Sequence, residues 1–407
     1  MAPTCGTIDA GPLPETRAKP RVYCIDKGSI NDILSKNAGL HLFVKPIKWA
    51  DHHLALLGIK FHNLPPVDDP SPRVDLSEAT VDIPAPAQAL INALDHLLKT
   101  EVEESRIRSI LTVMSMLYPG RMSFLNITEL HQHFGGRVYR DAFKSRRNHD
   151  NWPVQAAWEA TPARPSFINP PESMPTRTQG SADLPAVANV GRRIASKKPI
   201  LVYVDLKSIA ATRRNMYMVS LCRSPVKCPK KCRCNKPVKK IRKLLYRRIV
   251  PSKRKEDPFL AAVILALAQR SFYRELMPPS DESFVSSPAS PALQEPEFHD
   301  VMVHILDVDN EKPSSPCFTV YKGLVTKELL YKFHEPTKNP SAAGDQTLAG
   351  TMEGKRGMKI DYTNIPIWPI KGLKERLSRA LGKEIVGSFD EENIEKWKEI
   401  ADPNLKK

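Results

Sequence analysis

Asp205 and Lys207 are the residues of this chain whose types and spacing most directly suggest chemistry. They follow a short apolar run at 200–204. A run so rich in β-branched residues and Tyr predicts a buried strand. Carboxylates hold Mg²⁺ during phosphodiester hydrolysis, and a neighbouring Lys positions or helps to generate the attacking hydroxide. An acid and a Lys two residues apart on a strand project from one face, so the pair predicts a metal-dependent catalytic site.

The order of a strand, Asp205-Leu206-Lys207, a helix and a further strand resembles the second half of the PD-(D/E)xK nuclease core. In that family a second acid lies on the preceding strand. In this chain the residue at that position would be Asp183. The residue before it is Ala182, whereas the family has Pro there. Two further family positions, an acid in the first helix and a polar residue in a later helix, would be Glu159 and Gln269. The resemblance implies Mg²⁺ as a cofactor and an active or degenerate nuclease.

A second resemblance concerns three segments in the C-terminal half of the chain. The segments are 257–269, which begins Asp257-Pro258-Phe259-Leu260, 320–333, and 367–377, which begins Ile367-Trp368-Pro369. They look like stretches of uncharacterised filamentous-fungal proteins. This resemblance implies an α/β domain from about residue 195 onwards and brings no activity with it.

Four cysteines within thirteen residues form a candidate metal site: Cys222, Cys228, Cys232 and Cys234. Zn²⁺ takes four thiolate or imidazole ligands, and surrounding cations favour thiolates. The spacing C-x5-C-x3-C-x-C lacks the paired C-x2-C of common zinc sites, and no His lies nearby. The alternative is therefore a set of exposed, redox-sensitive thiols.

The same cysteines lie within a band of positive charge at 192–255. This basic band holds 22 Lys and Arg and one acid, Asp205, for a formal charge of +21. Because the whole chain sums to +16, the remainder carries −5. Such a band attracts nucleic acid or an anionic membrane, since each phosphate that is neutralised releases a counterion. It holds few aromatic residues, which disfavours a stacking platform for single strands.

Twelve cations of the basic band are predicted to contact phosphates: Arg192, Arg193, Arg213, Arg214, Lys230, Lys231, Lys239, Lys240, Arg242, Lys243, Arg247 and Arg248. The clusters at 239–255 also match a nuclear import signal, which predicts a nuclear protein, with the cytoplasm as the alternative. A solvated run of charge is the simpler interpretation of those clusters.

Composition narrows the class of protein. Hydrophobic residues make up 41% of the chain, which is enough for a core, and 37 prolines predict extensive linkers. Residues 1–20 contain no apolar run typical of a signal peptide, and seven cysteines favour reduced intracellular thiols. The longest apolar run, at 259–268, is too short to span a bilayer. Walker, GxSxG, kinase and dinucleotide motifs are absent from the sequence.

Periodicity predicts a mainly helical region at 23–160, after a disordered N-terminus at 1–22. Ser29 is a plausible N-cap for a helix at 30–36, and apolar stripes at 88–99 and 103–118 predict a helical hairpin. We expect these stripes to pack in the core, and a groove for a protein partner is the alternative. A Pro-rich linker is predicted at 161–190.

An α/β domain is predicted at 191–407, with a basic Cys-containing insert at 222–255. Its predicted elements are a central helix at 259–274 with Asp257 as N-cap, an antiparallel strand pair at 301–308 and 317–321, a helix at 327–333 capped by Thr326, and helices at 373–381 and 391–400. Disordered loops are predicted at 278–296 and 339–358. The predicted fold class is α+β, a helical N-terminal region followed by a small mixed sheet with flanking helices.

Three functions follow as hypotheses from this sequence. The first is a nucleic-acid-associated or interaction protein that binds phosphates through the basic band. The second is the nuclease that uses Asp183, Asp205 and Lys207 with Mg²⁺. The third is a scaffold that binds another protein through the helical hairpin. Mg²⁺ and Zn²⁺ are the cofactors considered, nucleic acid is the expected partner, and protein partners are an alternative.

Overall fold

The structure is a computed structural model. It describes residues 24–66, 85–125, 127, 130–140, 142–143, 153–160, 200–217, 236–273, 296–311, 315–340 and 357–387. Asp183, Arg192, Arg193, Lys230, Lys231 and the cysteines Cys222, Cys228, Cys232 and Cys234 lie outside these ranges. So do almost all residues of the predicted loops at 278–296 and 339–358 and of the predicted helix at 391–400.

The described part of the chain alternates helices and strands. The helices are α1 Ile30–Lys36, α2 Asp51–Leu57, α3 Ala85–Lys99, α4 Glu103–Leu117, α5 Leu206–Tyr217, α6 Lys236–Ile249, α7 Pro258–Tyr273, α8 Lys327–His334, α9 Leu373–Leu381 and α10 Lys383–Val386. The strands are β1 Lys60–Asn63, β2 Met122–Phe124, β3 Gln132–Phe134, β4 Arg137–Tyr139, β5 Ala156–Ala160, β6 Ile200–Tyr203, β7 Val301–Asp309, β8 Cys317–Val325 and β9 Met358–Pro366. Within these ranges, the helices are all too short or too polar to cross a bilayer.

A seven-stranded mixed sheet organises the molecule, in the order β1-β9-β8-β7-β6-β5-β2. The pairs β1–β9 and β6–β7 are parallel, and the other four pairs are antiparallel. Strands β1, β2 and β5 come from the predicted helical region, so this region and the predicted α/β domain share one sheet. The mixed α+β class with flanking helices is confirmed.

Helices cover both faces of the sheet, because successive residues of a strand point to opposite sides. In β6, Leu201 and Tyr203 join a core with α3, α4, α9 and α10. Val202 joins the opposite core, which is built around α7. The first twelve residues of α7 are all buried, which confirms the prediction of a central helix that is apolar nearly all round.

Several helix ends follow the sequence signals. The Ser29 side chain accepts a hydrogen bond from the Asp32 amide at 3.3 Å, and the Thr326 side chain caps α8. Asp257 precedes Pro258 and accepts a hydrogen bond from the Phe259 amide at 2.8 Å, as expected of an N-cap. These local groups satisfy amides that have no partner within the helix.

The predicted helical hairpin is confirmed as α3 packed against α4. Leu90, Leu94 and Leu97 of α3 are buried together with Ile110 and Met114 of α4. The apolar stripes therefore contribute to the core, as the sequence predicts. Since these faces are covered, the hairpin does not present them as an open groove.

A small hairpin, β3–β4, lies beside α7 and α8. Gly135 and Gly136 form its two-residue connection, with φ of +59° and +72°. A type I′ hairpin turn needs positive φ at both central residues, and Gly adopts it without steric cost. The hairpin forms one wall of an apolar cavity described below.

Candidate functional site

Helix α6 carries a row of exposed cations. Lys239, Lys243 and Arg247 recur at every fourth residue and so lie on one face of the helix, with Lys240 beside them. We call these four residues the basic face. They form no ion pair with an acid among the residues that the structure describes. The sequence contains no Asp or Glu between 206 and 255.

Two further predicted phosphate contacts, Arg242 and Arg248, also lie on α6 and are exposed. At about 100° per residue, Arg242 lies about 60° beyond Lys239 and Arg248 about 80° beyond Lys240, so both border the apolar side of the helix. The structure therefore brings six of the twelve predicted cations onto one helix of 14 residues.

The other side of α6 is apolar and only partly covered. Ile241 and Leu245 lie roughly opposite the basic face and are 57% and 40% exposed, while Ile249 at the C-terminal end is 7% exposed. Helix α6 packs on α5. This packing turns part of the apolar side towards the body of the protein and leaves the basic face in solvent.

The segment after α6 is fixed to the rest of the molecule. The Ser252 amide donates to the Asp51 carboxylate at 3.1 Å, and Lys253 forms an ion pair with Glu256 at 3.0 Å. The backbone there is therefore held by a contact 201 residues away in sequence. This contact gives α6 a defined place on the surface.

Arg213 does not belong to the phosphate-binding surface. It is 2% exposed, and its guanidinium forms an ion pair with the Asp257 carboxylate, including a contact of 2.7 Å from Nη2 to Oδ1. Its Nε donates to the Ile47 carbonyl at 3.0 Å. The prediction for Arg213 is therefore wrong, because a buried guanidinium with these partners is not available to a polyanion. The next residue, Arg214, is exposed.

Asp205 and Lys207 do not share a strand face. Strand β6 ends at Tyr203 and α5 begins at Leu206, so Lys207 lies in the first turn of a helix. Asp205 is buried and accepts the Lys207 amide at 3.0 Å on Oδ1. Its Oδ2 lies 2.7 Å from Nη1 of Arg106 in α4. The structure thus gives Asp205 two partners that stabilise the fold and corrects the expected geometry.

Lys207 is partly buried near other cations. Burial, followed by the charges of Arg106 and Arg254, lowers the pKa of the Lys207 ammonium. The direction is that expected when a cation loses solvent and gains neighbours of like charge. A lowered pKa is also typical of catalytic lysines. For Lys207, burial and two neighbouring cations account for the lowering without a catalytic role.

A second carboxyl group, Asp307 of β7, lies near Asp205. Strands β6 and β7 are parallel, with Tyr203 opposite Leu306, so Asp205 and Asp307 fall at the same end of the strand pair. Burial, with the charge of Asp205 next in importance, raises the pKa of Asp307 to about 7. Its Oδ1 accepts the Leu206 amide at 3.2 Å.

Asp307 borders a charged cleft of about 270 Å³. The cleft is also lined by Lys253, Arg254, Lys255, Asp309, Glu311 and Tyr362. Lys255 pairs with Asp309 at 2.9 Å, and Arg254 pairs with Glu311. Lys253 pairs with Glu256 beside the cleft, so each lining cation has an acidic partner and the cleft offers little uncompensated charge to a phosphate.

Neither predicted metal site is found in the described ranges. Those ranges contain no group of three His, Cys, Asp or Glu residues arranged to hold a metal ion. The predicted Mg²⁺ ligand Asp183 and the four cysteines of the predicted Zn²⁺ site lie outside them. Both metal sites therefore stay predictions.

The other two residues taken from the nuclease resemblance occupy structural positions. Glu159 lies in strand β5 rather than in a helix, paired in register with Ile200. Gln269 of α7 binds the β3–β4 hairpin, accepting the His133 amide at 3.0 Å and donating to the His133 carbonyl at 2.9 Å. Glu159 therefore does not lie in a helix, Gln269 does, and the resemblance itself stays a prediction.

Two features of the site were missed from the sequence. Asp307 interrupts an otherwise apolar strand pattern at a position that should be buried, and this interruption was a usable signal. The i, i+4 spacing of cations on α6 was another, but the high charge of the segment suggested an irregular insert.

Comparisons with known proteins give no relative. Neither the family models, nor the curated proteins, nor the solved structures contain a match to this chain. Any function must therefore be argued from the chain itself.

Proposed function

We propose that this protein binds nucleic acid through the basic face of α6, by contacts to the phosphate backbone. The observation that carries the proposal is the exposed row of Lys239, Lys243 and Arg247, to which the described residues offer no acidic partner. Exposed cations without partners attract polyanions over distances of a Debye length, about 10 Å at 0.1 M salt.

The dimensions of the row suit a nucleic acid backbone. At about 1.5 Å per residue, Lys239 to Arg247 spans about 12 Å along the helix. Duplex DNA carries one charge per about 1.7 Å of its axis, so the row faces on the order of seven phosphate charges. We expect binding with little sequence preference, because lysines that contact phosphates fix position without reading bases.

Nucleic acid needs only the basic face of α6, whereas a helix that lies in a lipid interface also inserts its apolar side between headgroups. On α6, Ile249 is buried, but Ile241, Leu244 and Leu245 are 57%, 58% and 40% exposed. The vesicle arm of the test below therefore distinguishes the two polyanions. The basic face points to solvent, where a rigid polyanion reaches it without displacing any packed side chain.

The test is binding of the purified chain to a labelled DNA duplex, an RNA duplex and vesicles containing phosphatidylserine. We expect both duplexes to bind, and vesicles to bind more weakly at equal phosphate concentration. The variant with Lys239→Gln, Lys243→Gln and Arg247→Gln should lose most of the binding. Binding to vesicles without binding to either duplex would contradict the proposal.

A matched control separates the basic face from general charge. Lys60→Gln, Arg137→Gln and Lys371→Gln together remove the same charge from exposed positions in β1, in β4 and before α9. This control should keep nearly full duplex binding. Equal loss in both triple variants would show that net charge, not the basic face, is responsible.

The nuclease is the second candidate, and the position of Asp307 near Asp205 supports it. Cleavage of the duplex in the presence of Mg²⁺, lost in Asp205→Asn and in Asp307→Asn, would favour it. If the duplex stays intact after prolonged incubation with the protein, the protein binds nucleic acid without cleaving it. The Arg106 partner of Asp205 argues for that second result, since it already occupies one carboxylate oxygen.

A further inference from the structure

An apolar cavity of about 310 Å³ lies on the α7 face of the sheet, and none of its lining residues belongs to α6. Its walls come from α1, the segment 42–46, α2, the β3–β4 hairpin and α8. Lining side chains include Ile30, Leu34, Trp49, Leu56 and Phe333. Pockets for small organic ligands typically measure about 300–1,000 Å³ and have mostly apolar walls, so the size and lining fit a small ligand.

Aromatic rings form one side of the cavity. Phe43 is 64% exposed, and its ring centroid lies 5.7 Å from that of Phe134 and 5.8 Å from that of Tyr139. Phe134 in turn lies 5.9 Å from Phe333, edge to face. A large exposed aromatic residue at a cavity leaves apolar surface in water, and a planar ligand against it would cover that surface.

Gln132 provides an unsatisfied polar group in the cavity wall. It is 8% exposed, and its Oε1 is buried without a hydrogen-bond partner among the residues that the structure describes. Its Nε2 is held by Gln269 Oε1 at 3.1 Å. A buried acceptor without a partner is destabilising, and a donor on a ligand would satisfy it.

The other buried polar lining residue, His53, is already satisfied. Its Nδ1 accepts the Ala50 amide at 3.0 Å, which leaves the proton on Nε2 to be donated to the Leu42 carbonyl at 3.3 Å. Burial lowers the pKa of His53 to about 4, so the ring is neutral at pH 7. Neither of these buried groups therefore supplies charge to a ligand.

We propose that this cavity binds a small, neutral, planar apolar molecule that carries one hydrogen-bond donor, with Gln132 Oε1 as the acceptor. Apolar walls and aromatic rings supply the contact area, and the amide selects for a hydroxyl or N–H group. A cationic ligand is disfavoured because the lining residues include no acid, and their one charged member, Lys45, is itself an exposed cation. Because Oε1 exposes almost no surface and the planar amide moves as one unit, a ligand donor reaches Oε1 when the Gln132 amide turns and gives up the bond from Nε2 to Gln269.

The test uses two probes that differ in one donor, 2-naphthol and 2-methoxynaphthalene. We expect saturable binding of 2-naphthol to the full chain by titration calorimetry, and binding of the methoxy compound that is about 2- to 10-fold weaker, the ratio given by one hydrogen bond. No saturable binding of 2-naphthol, or tighter binding of the methoxy compound, would overturn the proposal.

Variants locate the binding. Leu34→Trp fills the cavity and should abolish binding, and Leu56→Trp does the same from α2 if the first variant fails to fold. Gln132→Leu should bind both probes equally. Ile241→Trp adds the same indole to the exposed side of α6 and should bind as the wild type does. Unchanged affinity in a folded cavity-filling variant would show that the probes bind elsewhere.

Discussion

The guanidinium of Arg106 in α4 lies 2.7 Å from the carboxylate of Asp205, at the end of β6. Both side chains are less than a tenth exposed. The contact joins the helical hairpin to the sheet across 99 residues of sequence. It also explains why an acid that suggests metal chemistry in the sequence has a structural role in the fold.

Removing either partner of this pair should be costly. Asp205→Ala leaves Arg106 as an unpaired buried cation, and such changes cost about 3–5 kcal/mol of unfolding free energy. The double variant Arg106→Met with Asp205→Ala should lose less than the sum of the two single variants, Arg106→Met and Asp205→Ala. Urea unfolding measures both, and a loss below 1 kcal/mol in Asp205→Ala would contradict the buried pair.

Asp307 makes stability depend on pH. Its pKa of about 7 in the folded protein exceeds the ordinary value of 3.8, so the folded state holds the proton more tightly than the unfolded state. The stability from this carboxyl is complete below about pH 4 and is lost as the pH rises through about 7. Burial, then the charge of Asp205 and to a lesser extent that of Asp309, raises the pKa of Asp307, while the Leu206 amide and Arg254 lower it.

Asp307→Asn should therefore stabilise the protein relative to the wild type, by more at pH 8 than at pH 5. Each unit of pKa corresponds to about 1.4 kcal/mol. Urea unfolding at the two pH values gives the difference. A constant difference between Asp307→Asn and the wild type would mean that Asp307 is ionised throughout this range.

Arg213 and Arg214 are neighbours in sequence with opposite environments. Arg213→Ala should cost about 3–5 kcal/mol because it strands the buried Asp257 carboxylate, whereas Arg214→Ala should change stability by less than about 0.5 kcal/mol. Thermal and urea unfolding of the two variants test this contrast. Similar stability in both would contradict the burial of Arg213.

Gly323 of β8 lies directly under Ile264 of α7. A Cβ at Gly323 would fall 2.7 Å from Ile264 Cγ2 and 2.8 Å from Cδ1. Gly323→Ala should therefore destabilise the protein by about 1–3 kcal/mol through overpacking. Ile264→Ala removes both clashing atoms, so the double variant should lose less than the sum of the two. Simple additivity of the losses would contradict this packing.

Local signals in the sequence predicted the elements that depend on them. The caps at Ser29, Thr326 and Asp257 and the uninterrupted apolar pattern of α7 were sufficient, because each acts within a few residues. The short strands β1, β2 and β5 were not predicted. They are three to five residues long, and partners distant in sequence stabilise them, so periodicity gives little signal.

The candidate site shows the same division. The cations of α6 and their i, i+4 spacing are visible in the sequence, but which side of the helix faces solvent depends on packing against α5. The exclusion of Arg213 could not be predicted, because its partner Asp257 and its acceptor at Ile47 come from distant parts of the chain. The local spacing of charged residues does not reveal a partner that is distant in sequence.

The salt dependence of duplex binding tests the central claim most directly. Each phosphate contact contributes about −0.9 to the slope of log K against log salt concentration. The account predicts that Lys239→Gln, Lys243→Gln and Arg247→Gln together make the slope shallower by about 2.7, while the Lys60, Arg137 and Lys371 control keeps the wild-type slope. An unchanged slope in the basic-face variant, with the fold intact, would contradict phosphate binding through α6.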